Sequence, residues 1–203
     1  MIAIIDYGVG NLFSLQSSLA AIEQNVIVTA NLNEIHNADK IILPGVGAFR
    51  DAIGKLCETG LSEIVKDEAA SGKPLLGICL GMQLLFEKSY EYGEYDGLAL
   101  IPGAIRPIRD VIPADYKIPH IGWNSLVLKN PSVILRDIKE GDCMYFVHSY
   151  YAANCNDYVT AETEYGAYLT ASVQNGRIYG CQFHPEKSGK AGLSILRAFC
   201  EEG

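Results

Sequence analysis

The stretch that most constrains this chain is Pro74-Leu75-Leu76-Gly77-Ile78-Cys79-Leu80-Gly81-Met82. Residues 74–78 form a short, continuous apolar run, which reads as a strand buried on both faces. A helical pattern follows at once. A strand without a polar face needs helices on both sides, so the chain has to build a covered, largely parallel sheet. At the junction Gly77 and Gly81 flank Cys79. Small residues at that spacing permit a sharp strand-to-helix turn that lifts the central side chain into the open.

Strand and helix alternate through the first half. Residues 2–6 are a short apolar run ending on Asp6, with no basic segment ahead of it, and so read as a first strand and not a signal peptide. Asn11 is placed to cap a helix whose apolar face is Leu12, Leu15, Leu19 and Ile22. Residues 26–29 and 40–43 read as strands, 61–70 and 80–88 as helices. The second half is richer in strands, at 124–128, 144–147, 158–163 and 169–173. Gln174-Asn175-Gly176-Arg177 marks a tight hairpin that returns through 178–183. A last helix covers 191–201, and 89–118 read as surface loops with one short strand near 104–108. The expectation is one α/β domain over 1–203. Its central sheet is mixed and mainly parallel, flanked by helices, with antiparallel additions in the C-terminal half.

Charge and cysteine usage narrow the function. The net charge is -8, without a run of Lys or Arg, which argues against nucleic acid as a partner. No apolar stretch reaches the length of about 20 residues needed to span a bilayer, so no membrane role is expected. The cysteines at 57, 79, 143, 155, 181 and 200 show neither CxxC nor zinc-site spacing. No metal or other cofactor is expected. Apart from Cys79, the cysteines read as reduced, buried thiols of a cytoplasmic protein.

Chemistry concentrates at three places. Cys79 opens a helix, where free N–H groups and the helix dipole favour a thiolate. The Leu80 N–H then faces the position of an oxyanion. Of His36, His120, His148 and His184, the last is the best proton partner: it ends a strand, and Pro185-Glu186 follows, so Glu186 can orient the ring. Pro44-Gly45-Val46-Gly47 follows another strand, and its glycines allow an N–H to be aimed inward as a second oxyanion donor. Each segment alone also fits a plain structural part: a buried Cys in a tight turn, a His capping a strand, an ordinary loop. Together they are far more specific.

In order along the chain stand six motifs: Asp6-Tyr7-Gly8-Val9-Gly10-Asn11, Pro44-Gly45-Val46-Gly47-Ala48-Phe49, Cys79-Leu80-Gly81-Met82-Gln83-Leu84-Leu85-Phe86, Pro119-His120-Ile121-Gly122-Trp123-Asn124, Tyr145-Phe146-Val147-His148-Ser149-Tyr150 and His184-Pro185-Glu186-Lys187-Ser188. The set resembles the triad (class I) glutamine amidotransferases and, within them, the family of glutaminase subunits of imidazole glycerol phosphate synthases. The resemblance covers essentially the whole chain. It implies Cys79 as nucleophile, His184 as acid–base and Glu186 as its orienting partner. It implies Gly45, Val46, Gly47 and Leu80 at the oxyanion hole, and Gly47, Gln83, Glu91, Ser149 and Tyr150 around the glutamine. Trp123 and Lys187 fall in segments that resemble a partner interface. The implied activity is hydrolysis of glutamine to glutamate and ammonia. The implied partner, in a heterodimer, is a cyclase subunit with a (β/α)8 barrel. It would use the ammonia to make imidazole glycerol phosphate and aminoimidazole carboxamide ribotide for histidine biosynthesis.

Two other readings use the same residues. A stand-alone cysteine hydrolase of this fold would need an open groove and no partner. The glutaminase subunit of another amidotransferase would share the triad; the DYGVGN opening and the PHIGWN segment argue against it by resemblance.

Overall fold

The computed structural model describes residues 1–202. Its spine is an eight-stranded sheet in the order β2 (Val26–Thr29), β1 (Ile2–Ile5), β3 (Lys40–Leu43), β4 (Leu75–Ile78), β14 (Ile178–Cys181), β13 (Tyr168–Asn175), β12 (Val159–Glu164) and β9 (Val127–Leu128). The first five in this order run parallel. The last three are added antiparallel, after the turn at Asn175-Gly176. Every residue of β1 and β4 is buried, as continuous apolar tetrapeptides require.

Helices cover both faces. On one, α1 (Leu12–Ala21) and α6 (Gly189–Cys200) pack Leu15, Leu19, Ile195 and Phe199 over Ile4, Ile42 and Leu76. On the other, α2 (Leu32–Asn37), α3 (Phe49–Glu58) and α4 (Leu61–Ala70) pack Ile35, Phe49, Leu56 and Val65 over Ala3, Ile5, Ile41 and Leu75. Each such side chain, fully buried, contributes about 1.5–3 kcal/mol. A four-stranded sheet has the order β11 (Tyr150–Ala153), β7 (Ile101–Pro107), β5 (Phe86–Ser89), β6 (Tyr95–Asp96), and β8 (His120–Ser125) forms a ribbon with β10 (Cys143–His148).

Several local expectations need correction. The helix expected over 80–88 is only α5 (Leu80–Leu84), and β5 follows it. The carbonyls of Leu84, Leu85 and Phe86 accept from Leu98, Leu100 and Ala99 instead of prolonging the helix. Residues 89–118 are largely irregular, as expected, but their main strand, β7, starts earlier and runs longer than the one expected near 104–108, with Ile101 and Ile105 fully buried. The strand expected over 124–128 is split: its first part lies in the β8–β10 ribbon, and Val127–Leu128 joins the large sheet. Residues 144–147 belong to the ribbon and not to that sheet. Among the thiols, Cys57 and Cys143 are exposed, contrary to the buried reading, while Cys155 and Cys181 are buried; all six are free.

Candidate active site

The site stands at the carboxyl ends of the parallel strands, where such sheets open their crevices. The chain leaves β4 at Cys79, which has φ 55 and ψ −112. A non-glycine residue there costs on the order of 1–3 kcal/mol and persists only when its surroundings hold it. Here the Cys79 N–H donates to the Cys181 carbonyl at 2.7 Å, and the Cys79 carbonyl accepts from the Gln83 N–H at 3.2 Å. A Cβ on Gly77 would come within 2.7 Å of the Gly81 carbonyl oxygen. The two glycines therefore allow the turn to close on itself.

His184 follows β14 and reaches the same point. Its backbone N–H donates to the Tyr145 carbonyl at 3.0 Å. Its Nδ1 lies 2.8 Å from Glu186 Oε1, with both side chains only 3% exposed. The rest of the ring is left for Cys79. Burial opposes a charge on His184, but hydrogen bonds to Cys79 and Glu186 and their negative charge outweigh it and raise its pKa to about 9. The raised pKa favours an imidazolium beside the sulfur at neutral pH. His148 behaves oppositely. Full burial, with the nearby His120 and His184, lowers its pKa to about 3, against a backbone hydrogen bond to Tyr150.

A cavity of about 400 Å³ brings together Val46, Gly47, Cys79, Leu80, Gln83, Glu91, Ser149, Tyr150, His184 and Lys187. Pockets for small ligands commonly start at roughly 300 Å³. Gly45 and Glu186 lie behind its wall, at a small internal void shared with Asn11 and Leu15. Gly45 is pressed onto the elbow: a Cβ there would lie 2.7 Å from the Tyr7 hydroxyl and 2.8 Å from the Gly81 nitrogen. Gly47, at φ +94, is open, and Val46 is 41% exposed. Glu91 has a second attachment, because its Oε2 accepts from the Phe49 N–H at 2.5 Å. It thereby caps α3, whose N-cap residue Ala48 offers no side-chain bond. Burial raises the Glu91 pKa and this bond partly offsets the rise.

Trp123 lies outside the cavity on β8, 55% exposed, with Ile121 on the same strand 58% exposed. It meets Tyr145 edge-on at 6.1 Å between centroids, and Lys187 Nζ sits 5.9 Å from the same Tyr145 ring. An apolar and cationic surface therefore borders the cavity.

One residue at the site escaped sequence reasoning. Gln182 is fully buried, its Nε2 lies 3.8 Å from Cys79 Sγ, and its Oε1 accepts from Gln83 Nε2 at 2.9 Å. The available signal was a lone amide inside the apolar run Tyr179-Gly180-Cys181-Gln182-Phe183, two residues before His184.

The family model for class-I glutamine amidotransferases matches residues 3–202. The chain belongs to that family. Among curated relatives, "Imidazole glycerol phosphate synthase subunit HisH" of Caldanaerobacter subterraneus subsp. tengcongensis is 50% identical over 202 residues, 99% of this chain and 98% of the relative. The protein of the same name from Bacillus cereus strain AH187 is 48% identical, over 98% of this chain and 93% of its own length. Among solved structures, a glutamine amidotransferase shares the fold with a TM-score of 0.77 at 17% identity, covering 99% of this chain and 98% of that one. The glutaminase domain of a Trypanosoma brucei CTPS, with bound acivicin, gives 0.68 at 16% identity, over 100% and 94%.

Proposed function

We propose that this chain is the glutaminase subunit of an imidazole glycerol phosphate synthase. It hydrolyses glutamine to glutamate and ammonia, and the ammonia passes to a cyclase subunit of histidine biosynthesis. The observation that carries the catalytic assignment is the convergence of Cys79 and His184 on one cavity with room for glutamine, with Glu186 holding His184 from behind its wall.

The chemistry follows from the geometry. The Cys79 sulfur attacks the side-chain carboxamide carbon of glutamine. The oxyanion that forms is held by backbone N–H groups of the 45–47 loop and of Leu80. His184, charged at neutral pH, gives its proton to the departing nitrogen, and the C–N bond breaks to leave a thioester. The neutral ring then takes a proton from water, whose oxygen displaces the sulfur and releases glutamate. Glu186 keeps the imidazole in place through both steps. Gln83, Glu91, Ser149 and Tyr150 line the remainder of the cavity, where they meet the amino-acid end of the substrate.

The partner is a cyclase with a (β/α)8 barrel, docked as a heterodimer against the surface carrying Trp123 and Lys187. Aromatic side chains with one exposed face are favoured anchors in such interfaces. The complex works in the cytoplasm, where exposed free thiols such as Cys57 and Cys143 stay reduced. No helix among the described residues is long and apolar enough to cross a membrane.

The test is the purified pair with its cyclase. Cys79→Ala abolishes glutamine-dependent synthesis and leaves synthesis from ammonium salt intact. Retained glutaminase activity in that variant rejects Cys79 as the nucleophile.

A further inference from the structure

We propose that Gln182 is a further catalytic residue, whose amide N–H donates to the Cys79 sulfur and stabilises it as a thiolate, held in that orientation by Gln83. The proposal deepens the reading of Cys79 as nucleophile and rests on it.

The orientation of both amides follows from one fixed group. The Tyr150 backbone carbonyl can only accept, and the Gln83 amide end that it meets at 3.3 Å is therefore the NH2. The same NH2 faces Gln182 at 2.9 Å, so the Gln182 end it meets is the oxygen. That leaves the Gln182 NH2 facing Sγ at 3.8 Å. A fully buried amide is costly unless its groups are paired, and this chain of donors pairs them. The backbone is fixed as well: the Gln182 N–H donates to the Ala171 carbonyl at 2.9 Å. Two residues on, His184 comes to the same sulfur, while Phe183 between them turns into the core against Phe146.

The thiol and the thiolate use different partners. As a thiol, Sγ–H donates to the Val147 carbonyl at 3.9 Å. As a thiolate it has no proton to give, and the Gln182 N–H and the His184 imidazolium become its donors. Hydrogen bonds to an ionised acceptor are the stronger kind. The same donor serves again when the thioester is hydrolysed. Water oxygen adds to the acyl carbon, its proton goes to His184, and the C–S electron pair returns to a sulfur already facing the amide. Tyr7, His148 and Glu186, with Glu91, Tyr150 and Lys187 on the cavity wall, are the other titratable groups around this centre, and substitution of Gln182 leaves all of them in place.

The test uses the full chain in complex with its cyclase. Gln182→Glu keeps an oxygen for Gln83 and replaces the donor with a carboxylate. Gln182→Met removes both groups without adding charge, and it carries the test if the core rejects the carboxylate. Carboxamidomethylation of Cys79 by iodoacetamide is followed against pH by peptide mass spectrometry, with exposed Cys57 and Cys143 as internal references. The expected result at pH 7 is a rate roughly 10- to 100-fold lower at Cys79 alone, the worth of one hydrogen bond to a charged acceptor. Its pH midpoint moves to the alkaline side, further in Gln182→Glu than in Gln182→Met. For glutamine, kcat falls while KM stays close to wild type. A wild-type alkylation profile in either folded variant overturns the role of Gln182. If Cys79→Ala is inactive in the same assay, that failure leaves the nucleophile reading standing.

Discussion

A Cβ on Gly81 would lie 1.8 Å from the carbonyl oxygen of Leu43. The elbow helix therefore rests directly on the end of β3, at the point where the chain turns into the Pro44-Gly45-Val46-Gly47 loop. One close contact sets the height of Cys79 and the position of the loop together. Backbone meets backbone there, so no flexible side chain can yield. Gly81→Ala is expected to destabilise the protein by about 1–3 kcal/mol or more, in the range of overpacked cores. Thermal unfolding and glutaminase activity would both fall. A variant with wild-type Tm and activity would show that the loop can move aside freely.

The His184–Glu186 pair gives a pH prediction. His184 has its pKa raised to about 9, so as the proposed acid it would hold the proton for the leaving nitrogen below that pH and lose it above. Glutaminase kcat/KM is expected to decline as pH rises through about 9. Glu186→Gln removes the charge that supports the imidazolium. Its alkaline limb should move to lower pH, and kcat should fall by roughly 10²–10⁴, the range of a positioned acid–base group. An alkaline limb that stays in place in Glu186→Gln would separate it from His184.

His148 makes the fold acid-sensitive. Its pKa is held down at about 3 by burial, whereas the unfolded chain takes up the proton near the ordinary value of 6.5. The unfolded state thus binds more protons between these limits. The stability His148 contributes is complete above about 6.5 and drains away as pH falls toward 3. One such group gives a slope of up to about 1.4 kcal/mol per pH unit. His120, 3.0 Å away through Nδ1 and also lowered by burial, adds to it. Urea unfolding at pH 7 and pH 5 should show a smaller loss for His148→Gln than for wild type. Equal losses would remove His148 as the cause.

The sequence made the centre of the fold legible because its signals are local. Residues 74–82 dictate a buried strand, a tight turn and a helix start within a few positions, and Asn175-Gly176 closes a hairpin on itself. What it hid depends on distant partners. Leu80 to Phe86 is an unbroken apolar run apart from Gly81 and Gln83, and helix and strand are equally compatible with it. The carbonyls of Leu84, Leu85 and Phe86 meet residues 98–100, which no local period reveals. At the site the same holds. The order of Cys79, His184, Pro185 and Glu186 could be read directly. The contact between Gln182 and Cys79 spans 103 residues of chain and arises only because β14 lies beside β4. Exposure of Cys57 and Cys143 depends on which face of α3 and β10 meets solvent, and thiols give little pattern to decide that.

The loop before Phe49 is held at one end only. Gly45 is wedged against Tyr7, Leu80 and the Gly81 nitrogen, so the loop is pinned at that end. Gly47 has φ +94 and open space around its Cα, and the Val46 side chain is 41% exposed. The peptide groups around Val46 are therefore expected to rotate about a fixed point without disturbing the core. One orientation would turn an N–H toward the cavity that holds Cys79, and the other a carbonyl. Only the first stabilises an oxyanion, and one such donor is worth about 3–4 kcal/mol, or 10²–10³ in rate. Hydrolysis without an acceptor wastes ammonia, so a resting loop of the second kind, shifted by binding of the proposed cyclase partner and of the nucleotide with which the ammonia would react there, would gate the reaction. Val46→Ala should then behave nearly as wild type, since only the backbone acts. Val46→Pro has no N–H to donate and should lose the stimulated rate while keeping the basal one. The measurement is kcat for glutamine in the complex, with and without the cyclase's nucleotide, for all three proteins. Wild-type stimulation in Val46→Pro would exclude the Val46 N–H and move the gate to Leu80 or to the approach of His184.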